Sequence, residues 1–149
     1  MNIHTIILAA GEGSRMKSKR AKSLQRVGGK TMLEMICKTA ASISTKITLI
    51  IGFDKNSIIN ESQSFDFEIS ICEQVSPIGT GDAVKCGINE VDEADKVLVL
   101  YGDVPLIKKE TLENLVSLDD KSLTILSTKV DNPFGYGRVK KNNDGNEKY

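Results

Sequence analysis

"HTIILAAGEGSRMKSKRAKSL", residues 4–24, opens with an apolar, β-branched run that breaks at Gly11. Glycine returns at Gly13, and then Arg15, Lys17, Lys19, Arg20 and Lys22 follow within eight residues with no acid among them. Three later stretches repeat the opening pattern: "KITLIIG" (46–52), "FEISIC" (67–72) and "KVLVLYG" (96–102). With "HTIILAA" (4–10) they read as strands whose near-continuous apolar character implies burial on both faces, as in a parallel sheet. Helical patterns over 31–43, 54–61, 80–91 and 109–117 separate or follow them, and "SLTILSTKV" (122–130) reads as a fifth strand. Strand–helix alternation at this spacing predicts a Rossmann-like three-layer α/β/α fold with a mainly parallel sheet.

Such sheets bind ligands beyond the carboxyl ends of their strands, where strand order reverses. With the order 3-2-1-4, the first and fourth strands are neighbours. The basic loop then faces Asp103 across one crevice.

Composition narrows the class. The 149 residues are one domain's length, and 40% hydrophobic with 27% charged residues is the profile of a globular chain. Twenty basic and twenty acidic residues cancel, which argues against a general nucleic-acid binder and makes the basic cluster a local device for a small anion. Ile6 to Ala10 is too short a run for a signal or membrane segment. Cys37, Cys72 and Cys86 fit no metal spacing and read as reduced thiols of a cytoplasmic protein.

The glycine loop imitates two known phosphate fingerprints and matches neither. Met16 stands where a dinucleotide fingerprint needs its third glycine, and a run of cations does not suit a ribose pocket that needs an acid. "VGGKT" (27–31) has the tail of a P-loop, but Leu24 occupies the place of its first glycine. What is left is a turn offering backbone N–H groups, with Arg15 and Lys22 placed beyond it to hold phosphate. Lys17, Lys19 and Arg20 read as solvated.

"LYGDVPL" (100–106) ends a strand in a carboxylate. Asp103 there is either a hard oxygen ligand for Mg²⁺ facing phosphates or the cap of a turn shaped by Pro105. In "EQVSPIGTGDAV" (73–84), Thr80 or Asp82 suits a helix N-cap. Gln74 is either a reader of a base edge, having both donor and acceptor, or a solvent-facing amide. "NPFGYGRVKKNNDGNEKY" (132–149) reads as a strand from Tyr136 and an Asn143-Asp144-Gly145 turn with too little chain for a full returning strand. Its unpaired edge offers a route to homo-oligomers, and the chain reads as cut inside a domain.

Together "LAAGEGSRMKSKRAKSL", "GTGDAV", "YGDVPL" and "NPFGYGRV" resemble the sugar-1-phosphate nucleotidyltransferases, in the family's order and across nearly the whole chain. They look most like the branch that makes UDP-N-acetylglucosamine in bacteria. The resemblance implies that Leu8, Ala9, Ala10 and Gly11 contact the nucleotide and that Arg15 and Lys22 act on the triphosphate. It further implies that Gln74, Gly79 and Thr80 read uracil, and that Tyr101, Gly102 and Asp103 line the centre. Asp103 would hold Mg²⁺ and Gly137 would meet the amino sugar. Ser14 replaces the family's Thr, Ala21 its Pro and Asp82 its usual His.

The implied substrates are UTP and N-acetylglucosamine 1-phosphate, with no nucleic acid or membrane partner. The family's remaining sugar contacts, its second metal ligand and the β-helix of the bifunctional enzyme would lie beyond Tyr149. Residues 1–149 alone are therefore expected to bind UTP without turning it over. The rival readings are a non-catalytic nucleotide-binding module and a transferase for another sugar such as glucose 1-phosphate.

Overall fold

The computed structural model describes residues 2–13, 17–76, 78–91, 96–118, 123–141 and 147–148. β1 (Ile3–Leu8), β4 (Lys46–Ile51), β5 (Ser70–Glu73) and β6 (Lys96–Tyr101) form one parallel sheet in the order β5-β4-β1-β6. By position along the sequence this is the order 3-2-1-4. β1 lies between β4 and β6, with Ile6 opposite Thr48 on one side and Val99 on the other.

The central strand buries both of its faces, which is why its sequence does not alternate. Ile3 and Ile7 point into the larger core, where α1 (Met32–Ala41) contributes Leu33, Ile36, Cys37 and Ala40. Ile58 of α2 (Lys55–Ser62) and Leu112 of α4 (Lys109–Val116) close the same layer. Ile6 and Ile50 point the other way, against Ala83 of α3 (Thr80–Ile88). The only histidine, His4, is buried in β1 with its Nε2 2.8 Å from Thr48 Oγ1. No helix among the described residues is long and apolar enough to cross a membrane.

"VGGKT" has a structural use. β2 (Arg26–Val27) and β3 (Lys30–Thr31) form an antiparallel hairpin around Gly28 and Gly29, both at positive φ. Such a two-residue turn demands that conformation at both positions, so Gly-Gly is its natural sequence. Thr31 then starts α1: its Oγ1 accepts the Glu34 N–H at 3.0 Å and donates to Glu61 Oε1 at 2.8 Å.

Three expectations need correction. β6 buries Leu98 and Leu100 but exposes Val97, Val99 and Tyr101, so this last strand of the sheet is covered on one face and not on both. Residues 123–130 form no strand, and Leu123, Leu126 and Val130 are exposed. A strand exists only with a ladder partner, and among the described residues none pairs with this segment. The strand expected from Tyr136 shrinks to β7 (Lys140–Lys141), antiparallel to β8 (Glu147–Lys148). The Asn143-Asp144-Gly145 turn lies outside the described residues.

Candidate nucleotide site

Beyond the carboxyl ends of β1 and β6 lies a cleft of about 580 Å³. Leu8, Ala9, Ala10, Gly11, Lys22, Gln74, Gly79, Thr80, Tyr101 and Asp103, all singled out from the sequence, border it. Gly102 sits behind it: its N–H donates to the Leu8 carbonyl at 2.9 Å. A Cβ there would lie 3.2 Å from that carbonyl oxygen, so glycine lets the end of β6 hug the end of β1. Arg15 lies outside the described residues. Gly137 is not brought to the cleft; it is exposed and borders a separate groove against β6 and α4.

Lys22 and Asp103, 81 residues apart, meet across the floor with Nζ 2.6 Å from Oδ2. Three local features aim the lysine. Gly13 has φ +64°, and a Cβ at that position would approach Lys22 Cβ to 2.7 Å, so the loop can pass only as glycine. Ala21 adopts φ −52° and ψ 140°, the extended geometry that a proline imposes. Ala21 also donates its N–H to Asp54 Oδ2 at 3.0 Å, a bond that proline cannot make. The alanine thus keeps the geometry and replaces covalent rigidity with a hydrogen bond. By contrast Lys17, Lys19 and Arg20 are exposed.

Gln74 is buried, contrary to the solvent-facing alternative. Its Nε2 donates to Asp82 Oδ2 at 2.7 Å and to the Gly79 carbonyl at 3.2 Å. α3 begins at an N-cap glycine, Gly79, with no side-chain cap; neither Thr80 nor Asp82 serves as one. Sequence reasoning did not single out Ser23 and Ala83, which also border the cleft. Both lie inside segments quoted for other residues, and nothing in their type points to a ligand.

Among the described residues no three His, Cys, Asp or Glu side chains gather as a metal cage. Asp103 nonetheless fits Mg²⁺, which is commonly held by one or two carboxylates with water and substrate phosphates completing the shell. Its side chain is one-third exposed on the cleft, and Lys22 is the cation it holds here.

A family model, the MobA-like NTP transferase domain, matches residues 5–138. The "Bifunctional protein GlmU" of Psychrobacter sp. is 41% identical over 143 residues, covering 95% of this chain and 31% of its own length. That of Clostridioides difficile is 40% identical over 148 residues, covering 97% and 32%. The chain therefore spans about a third of the curated relatives it matches. Among solved structures, the 4-diphosphocytidyl-2C-methyl-D-erythritol synthase of Anaerococcus prevotii superposes with a TM-score of 0.70 at 21% identity, over 99% of this chain and 62% of that one. At that identity the likeness concerns the fold.

Proposed function

The chain belongs to the family of MobA-like NTP transferase domains, and on that premise we propose that its cleft transfers uridylyl from UTP to N-acetylglucosamine 1-phosphate. The products are UDP-N-acetylglucosamine and pyrophosphate. The observation that carries this reading is the 2.6 Å contact of Lys22 with Asp103. It brings a phosphate-seeking cation and a metal-seeking carboxylate to one point beyond two adjacent strand ends. The names of the curated relatives and the four motifs support the choice of nucleotide and sugar.

In this reaction a sugar-phosphate oxygen attacks the α-phosphorus in line, and the bond to the β-phosphate breaks as pyrophosphate leaves. The attacking oxygen is already ionised at pH 7, so no general base is needed. The cleft's described lining accordingly works without histidine. Leu8, Ala9, Ala10 and Gly11 offer backbone to the nucleotide, while Gln74, Gly79 and Thr80 take the base. Lys22, with Arg15 from the same loop, neutralises triphosphate oxygens and aligns the α-phosphorus. Tyr101 and Gly102 set the end of β6 so that Asp103 reaches the phosphates. When bound at Asp103, Mg²⁺ supplies charge neutralisation to the triphosphate and the departing pyrophosphate. A cytoplasmic setting is supported by three free cysteines.

The test grafts residues 1–149 in place of the matching stretch of the Psychrobacter relative. Pyrophosphate release is then followed with UTP, Mg²⁺ and N-acetylglucosamine 1-phosphate. The graft should turn over. Lys22→Ala should lower kcat/KM by about a hundredfold, the usual cost of a lost charge-stabilising donor, and Lys19→Ala should leave it near the parent value. Equal losses at both lysines would mean a diffuse basic surface, and a preference for glucose 1-phosphate would reassign the sugar.

A further inference from the structure

Gln74 is only 6% exposed, and its backbone is fixed by donation of its N–H to the Ile51 carbonyl at 2.8 Å. Its amide nitrogen carries two hydrogens and has two partners, Asp82 Oδ2 at 2.7 Å and the Gly79 carbonyl at 3.2 Å. Both partners are acceptors with no hydrogen to give. The amide can therefore stand only one way round, with its nitrogen committed to Asp82 and Gly79, which leaves Oε1 as the atom it has to offer the cleft that Gln74 borders. Gln74 does not offer the cleft a choice of donor or acceptor: it offers Oε1.

From this we infer that Asp82 is a positioning residue that sets the base preference of the cleft through Gln74. The inference rests on the proposal that UTP binds here. A uracil edge carries one donor, N3–H, between two carbonyl oxygens, so Oε1 finds its partner at N3. Cytosine has a lone pair at N3. With its ribose and phosphates held by the same glycine loop, cytosine would set that lone pair against Oε1 and leave a buried acceptor unpaired, which is costly. The Asp82 bond is charge-assisted and is the shorter of the two that hold the amide, so its loss is what allows the amide to turn. The Gly79 carbonyl alone would hold only one of the two N–H groups.

The experiment measures UTP and CTP affinities of the 149-residue protein by calorimetry, with Asp82→Ala and Asp82→Asn alongside. The parent should prefer UTP. Asp82→Ala should narrow the UTP-to-CTP ratio about tenfold, the scale of one charge-assisted hydrogen bond. Asp82→Asn keeps an acceptor of the same shape and should restore the ratio. An unchanged ratio in Asp82→Ala, or an equal loss of both nucleotides at matched melting temperature, overturns the inference and leaves the functional reading standing. Failure of the parent to bind either nucleotide overturns that reading and the inference with it.

Discussion

Asp103 meets two rival cations, and the competition decides what each residue does. Its carboxylate is held by Lys22 at 2.6 Å, in a pair whose side chains are 42% and 33% exposed. A pair that open to water is worth about 1 kcal/mol or less, so it is a contact that a triphosphate can break. On the proposed function, UTP draws Lys22 onto its phosphates and vacates the carboxylate for Mg²⁺. Asp103→Asn removes both attractions at once. Its expected signature is therefore double: UTP affinity without Mg²⁺ rises, because Lys22 is released, and the gain on adding Mg²⁺ disappears. Calorimetric titrations with and without the metal read both arms. A variant that binds UTP more weakly without Mg²⁺, yet still responds to the metal, would remove Asp103 from the role given to it.

At the scale of elements, Thr31 shows how one residue can serve three at once. It closes the β2–β3 hairpin, caps α1 through the Glu34 N–H and reaches Glu61 of α2, all while fully buried. Thr31→Ala should cost about 0.5–2 kcal/mol in urea unfolding, the range for losing an N-cap hydroxyl, and Thr31→Ser should recover most of it. Equal stability of the alanine variant and the parent would show that neither bond counts. The sheet itself was legible from sequence because β1 and β4 are buried on both faces, so their apolar runs are continuous and hard to mistake, while β6 carries an equally apolar run although only Leu98 and Leu100 of it are buried. β5 starts at Ser70 rather than Phe67, and residues 123–130 of the expected fifth strand form none. Strand propensity describes a residue's fit to a pleated surface, not whether a partner is there. The cleft residues were legible wherever glycine, charge or a strand end marks them. The Gln74–Asp82 bond and the Ala21 N–H to Asp54 were not, since both join segments that only the fold brings together.

The whole molecule separates binding from cohesion. The cleft occupies the carboxyl end of the sheet, while the larger core lies against the face covered by α1, α2 and α4. Cys37 is fully buried in that core, and desolvation pushes its thiol up from 9.0 to about 12. A group whose folded pKa is raised favours the fold while its proton is on. The stability it allows is complete below pH 9, declines as the unfolded chain ionises, and is fully lost once pH passes about 12. A rise of that size corresponds to at most about 4 kcal/mol, a large share of the 5–15 kcal/mol that holds an ordinary domain together. Urea unfolding across pH 8–11.5 should therefore show a steep alkaline fall. Cys37→Ala should start lower, because removing the sulfur leaves a small void in the core, but its stability should fall less steeply with pH. The difference between the two curves isolates the thiol from the lysines and tyrosines that titrate in the same range. Parallel curves would mean that Cys37 ionises in the folded protein as easily as in the unfolded one, which a side chain packed beside Leu33, Ile36 and Ala40 cannot do without opening α1 from the sheet.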